Sequence, residues 1–120
     1  MAQIVTAREA VKHIPDHATV GVGGQGLAGW PEELGLAIRD SFAETGHPCD
    51  LNVKQGCAMG DWKTKGITHL GEAGPGLVTR WCGAHVGSAF APMLVTPSLS
   101  TTVILSSERW KCSLHGTGGL

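Results

Sequence analysis

Apolar positions along this chain switch between a helical and an extended period. Thr6-Ala-Arg-Glu9 has the form of a capping box, and Ala7, Ala10, Val11 and Ile14 follow at helical spacing. The pattern predicts a short helix ended by Pro15. Ala18–Val22 is a short apolar run of strand type that leads into Gly23-Gly-Gln-Gly-Leu-Ala-Gly29. Pro31 suits a first helical position, and Glu32 and Glu33 complement the positive end of a helix. Leu34, Ala37, Ile38 and Phe42 form its apolar stripe, and Gly46-His-Pro48 stops it. Asp50–Lys54 and Leu77–Cys82 predict two further strands, with a helical turn around Ile67–Leu70 between them. Gly83–Gly87 predicts a tight loop before another short helix.

Strand, glycine loop, helix, strand, loop, strand is the order of an α/β fold: an open, mostly parallel sheet flanked by helices. Ligands in such sheets sit beyond the carboxyl ends of the strands, which is where the three glycine-rich stretches would gather. The rhythm stops near Pro97. Residues 96–120 hold nine Ser or Thr, against eight in the preceding 95, and only Thr101–Leu105 has the look of a strand. The chain therefore divides into a segment 1–95 and a divergent tail 96–120.

Nine Lys and Arg against ten Asp and Glu leave a net charge of -1, which argues against a nucleic-acid footprint or a basic membrane patch. No apolar run reaches the length of a membrane span, and the first residues lack the pattern of a secretory or transit peptide. A cytoplasmic protein with reduced thiols is the expectation. Cys49, Cys57, Cys82 and Cys112 contain no CxxC pair. Cys82 with His85 is the closest approach to metal-ligand spacing, and no second pair accompanies it, so no metal is expected. Cys57 and Cys82 read as small apolar fillers.

The 18 glycines change the picture more than the charge does. Gly24-Gln-Gly26-Leu-Ala-Gly29 satisfies GxGxxG after a strand and before a helix, the spacing of a dinucleotide site. Two details disfavour that reading. The helix starts after the glycines rather than within them, and Val53-Lys-Gln55 stands where an acid should grip a ribose. The alternative is a loop against which a carbonyl or thioester lies close to backbone N–H groups, since glycines remove the Cβ atoms that would block approach. A turn needed only for chain reversal is the plainer reading, although four glycines in seven residues exceed that need. Asp61, His69 and His85 fall on loops at the same edge, where backbone contacts more often satisfy such side chains than catalysis employs them. Glu72 reads as a solvated helix-end residue.

Asp16-His-Ala-Thr-Val-Gly-Val-Gly-Gly-Gln-Gly-Leu-Ala-Gly-Trp-Pro31 closely resembles the amino-terminal signature of the family I coenzyme A transferases. Gly23, Gly24, Gly29 and Pro31 match it, while His17, Gly21 and Gln25 depart from it. The resemblance continues through Glu44–Leu51, Gly60-Asp61, Gly66–Leu70 and Gly76–Arg80 into Gly83-Ala-His85 and Gly87, about the first 90 residues. It implies an enzyme that moves coenzyme A between an acyl-CoA and a free carboxylic acid. In the family a glutamate attacks the thioester and carries the CoA as a glutamyl thioester, which requires oxyanion donors and exclusion of water.

The resemblance places that glutamate in a later domain or partner subunit, and this chain ends before it. The family's Pro-Gln-Gly segment is also absent. The implied role is the alpha-subunit-like, truncated first domain, with Gly23, Gly24, Gln25, Gly26 and Gly29 cradling the acyl-CoA thioester and no catalytic nucleophile of its own. A second CoA-transferase domain or beta subunit is the implied partner. A shifted reading frame near Pro97 would account for both the tail and the missing segment, and reading the coding DNA in the other frames tests it. A non-catalytic, partner-binding fragment is the rival from another class.

Overall fold

Thr6 opens helix α1 (Ala7–Val11) with a complete capping box. Its Oγ1 accepts from the Glu9 N–H at 3.3 Å, and the Glu9 carboxylate accepts from the Thr6 N–H at 2.8 Å. The helix stops earlier than the spacing predicts. Pro15 disfavours helical backbone at the residue before it, so Ile14 sits in the turn beyond Lys12 while still packing against the core. The computed structural model describes residues 1–24, 28–56, 60–61, 63–83 and 100–103. The expected loop and helix after Gly83 lie outside them.

Strand β1 (Thr19–Val22) is followed by helix α2 (Glu32–Thr45), strand β2 (Leu51–Gln55), helix α3 (Thr68–Glu72) and strand β3 (Val78–Gly83). Pro31 is the N-cap of α2 rather than its first helical residue. Gly46 ends the helix at φ 77°, its N–H bonded to the Phe42 carbonyl at 2.8 Å. Strand β4 (Ser100–Val103) falls within the tail and pairs with β3. Among the described residues the sheet runs β1-β2-β3-β4 with every pairing parallel, which is the open parallel α/β arrangement the alternation predicted.

Leu51 and Val53 of β2 are fully buried and alternate with half-buried Asn52 and Lys54. Val78 and Trp81 of β3 are both buried although three residues apart, a spacing that would put them on opposite faces of a regular strand. The ladder accommodates them by an irregularity: Leu51 pairs with Val78, but Asn52 pairs with Arg80, so one residue of β3 is passed over and the alternation resets. Val11 of α1, Ala37 and Ile38 of α2, and Leu70 of α3 close over these side chains with Ile67 and Leu77. No helix among the described residues is long and apolar enough to cross a membrane.

Candidate functional site: the glycine loop and the cavity beside it

Because the strands run one way, their carboxyl ends lie side by side. Val22 pairs with Gln55, and Lys54 pairs with Cys82. The loop after β1 therefore stands at the edge where open parallel sheets hold ligands. Gly24 and Gly29 adopt φ 123° and 94°. A Cβ on Gly29 would fall 2.8 Å from Gly24 Cα and 3.2 Å from the Gly23 carbonyl oxygen, so the two limbs of the loop touch there. Position 29 needs glycine on both counts. Gly23 differs: a Cβ there would meet no described atom within 4 Å. Gln25 and Gly26, the other expected members of the cradle, lie outside the described residues.

Gly23 and Gly29 border a cavity of about 380 Å³ between β1 and the first half of α2. Val20, Trp30, Leu34 and Ile38 line it, and none of its described lining residues is charged. Trp30 is seated by Gly35, whose missing side chain leaves room for the indole. The Trp30 Nε1 is buried and has no hydrogen-bond partner among the described residues. Gln55 is 7% exposed at the end of β2, and neither atom of its side-chain amide has a partner among the described residues. From the sequence, Gln55 stood out only as lying where an acid should grip a ribose, not as a buried amide. Its signal was a polar residue at the inward position of the alternation Leu51, Val53, Gln55.

Several residues from the sequence have structural partners. Asp61 accepts the N–H groups of Lys63, Thr64 and Lys65 at 2.8–3.0 Å. Those donors hold its carboxyl far below the usual carboxylate range. Gly60 lies so close to Lys65 and Gly66 that a Cβ would collide with their backbone. His69 is buried, and its Nε2 lies 2.6 Å from Glu32 Oε1, while Glu32 Oε2 accepts the Gly66 N–H at 3.2 Å. Glu32 thus ties the start of α2 to α3, in addition to sitting at a helix N-terminus. Glu72 is half exposed at the end of α3, 3.6 Å from Arg39. Cys82 is disulfide-bonded, which corrects the expectation of a reduced apolar filler. His85 and Cys57 lie outside the described residues.

No family model matches the chain. Caffeate CoA-transferase of Acetobacterium woodii is 63% identical over 91 residues, covering 76% of this chain and 17% of that protein. Acetate CoA-transferase YdiF of Escherichia coli (strain K12) is 34% identical over 90 residues, covering 72% of this chain and 16% of its own length. Among solved structures, the thioester complex of acyl-CoA transferase YdiF from E. coli O157:H7 with CoA superposes with a TM-score of 0.74 at 27% identity, over 83% of this chain and 20% of that one. The apoenzyme of the same protein gives 0.75 over 85% and 20%. The chain thus spans about one sixth of the length of the curated relatives it matches. Over that matched stretch, these likenesses support a fragment of a family I coenzyme A transferase.

Proposed function

We propose that this chain forms one wall of the acyl-CoA site of a CoA-transferase, and that the carboxylate attacking the thioester comes from a part of the enzyme outside it. The observation that carries this reading is the cavity beside Gly23, whose described lining is uncharged and where a Cβ on Gly23 would meet no described atom within 4 Å. A neutral thioester and its acyl chain suit such a lining, and backbone N–H groups of the Gly23–Gly29 loop would stabilise the oxyanion of the tetrahedral intermediate. The substrates are an acyl-CoA and a free carboxylic acid. Residues 1–95 carry this role, and 96–120 form a divergent segment. The partner is the remainder of a CoA-transferase, as a second domain or a beta subunit, and the compartment is the cytoplasm.

Thermal unfolding of the 120-residue chain with acetyl-CoA and, separately, with NADH tests the reading, alongside an assay for CoA transfer from acetyl-CoA to propionate. The expected result is a melting temperature raised by acetyl-CoA and unmoved by NADH, with no turnover. A rise with NADH alone overturns the assignment of the loop, and turnover by the chain alone overturns the assignment of the nucleophile.

A further inference from the structure

The opposite edge of the sheet, where β1 and β2 begin, gathers three side chains of mixed donor chemistry. Asp16, His47 and Cys49 each bring one ligand atom to within 4.8 Å of the other two. Two reciprocal backbone contacts lock the segments that carry them: Asp16 Oδ1 accepts the Cys49 N–H at 2.9 Å, and the Cys49 carbonyl accepts the His17 N–H at 2.9 Å. His47 is pinned at the end of α2, its N–H bonded to Thr45 Oγ1 and its carbonyl accepting the Ser41 hydroxyl at 2.7 Å. The imidazole Nδ1 lies 2.8 Å from Asp16 Oδ2. His47 is largely exposed and Asp16 one-third exposed, so a hydrated ion has a path in.

We propose that Asp16, His47 and Cys49 form a binding site for a zinc-type divalent ion, with water completing the coordination. The donor set is one carboxylate oxygen, one imidazole nitrogen and one sulfur. That combination suits a borderline ion such as Zn²⁺ and suits neither Mg²⁺ nor Ca²⁺, which take oxygen donors. Tetrahedral zinc with ordinary bond lengths separates its ligand atoms by roughly 3.3–3.6 Å. The Asp16–His47 contact therefore opens by about half an ångström, and the sulfur draws in from the present span. The thiol gives its proton to solvent as sulfur takes the ion. Asp50 Oδ2, 3.8 Å from the Cys49 sulfur, adds negative charge beside the site. The site lies across the sheet from the glycine loop, so its role is to join the entrances of β1 and β2 rather than to act on a thioester.

Titration of the chelator-stripped 120-residue chain with Co²⁺, followed by displacement with Zn²⁺, tests the proposal. The expected result is one equivalent of bound Co²⁺ showing a sulfur-to-cobalt charge-transfer band, abolished by Zn²⁺ and absent in Cys49→Ser. Asp16→Asn and His47→Gln, which leave the sulfur in place, should each weaken Co²⁺ binding at least about tenfold. Absence of the band in the unmodified chain overturns the proposal, as does a band that Cys49→Ser leaves intact. Affinity unchanged in both Asp16→Asn and His47→Gln overturns it equally, whatever the fate of the serine variant.

Discussion

The indole of Trp30 rests on the bare backbone of Gly35: a Cβ built at that glycine would lie 2.8 Å from the ring Cζ2 and 3.0 Å from Nε1. One missing methyl inside α2 thus sets where the largest side chain of the cavity wall stands. Glycine in a helix interior costs about 1 kcal/mol relative to alanine, so close packing against Trp30 is what this position gains in exchange. Gly35→Ala should lower stability by about 1 kcal/mol despite the better helix propensity, because the overlap with the ring outweighs it. Urea unfolding measures this, and the Gly35→Ala, Trp30→Leu double variant should recover the propensity gain. A stabilised single variant would show that the indole moves aside freely.

Gly23 and Gly29 should respond in opposite ways. Gly29→Ala forces a side chain into the touching limbs of the loop at φ 94° and should cost about 1–3 kcal/mol. Gly23→Ala meets no described neighbour within 4 Å, so its stability should stay within about 0.5 kcal/mol of the parent. The same variant should nonetheless bind acetyl-CoA less tightly if the thioester lies against that backbone. Titration calorimetry beside thermal unfolding separates the two effects, and undiminished binding by Gly23→Ala would remove the close approach.

The buried amide of Gln55 has no partner for either atom among the described residues, and leaving such a group unsatisfied costs about 1–3 kcal/mol. Gln55→Met, similar in volume and without the amide, should therefore raise stability by roughly 1 kcal/mol. Chemical unfolding at neutral pH reads this directly. A loss of stability would mean that the amide is satisfied in solution.

Asp61 fixes the sign of one pH effect. Its folded pKa is depressed below the ordinary value of 3.8 by three backbone donors, so the unfolded chain binds the proton more readily. The stabilisation is complete above the ordinary carboxylate pKa and fades as pH falls from there toward the depressed folded value. Amide hydrogen exchange at Lys63, Thr64 and Lys65 should stay fully protected, after correction for intrinsic rates, down to about pH 4 and lose protection progressively below it. Asp61→Ala should expose the same amides at neutral pH. Equal protection in that variant would show that the loop is held by other contacts.

Local signals were legible where the chemistry is local. The Thr6–Glu9 box, the glycine stop at Gly46 and the alternation of β2 were all readable because each interaction spans a few residues. The limits of β1, β2 and β3 moved by at most one residue, and Thr79 is passed over only because β3 must match β2, which no single segment encodes. Glu32 and His69 are 37 residues apart, and Asp16 and His47 are 31 apart. Their meeting is a product of topology. The glycine loop was found through its spacing and its resemblance, while the size and apolar character of the cavity beside it depend on how α2 lies across β1.

Among the described residues the sheet order leaves β1 as its terminal strand, and the glycine loop leaves from that strand's end. Any polypeptide that extends the ladder beyond Val20 and Val22 arrives next to the loop at the same moment. Under the proposed function, pairing along that edge and covering of the cavity would be one event, so a half-assembled enzyme would leave its thioester open to water.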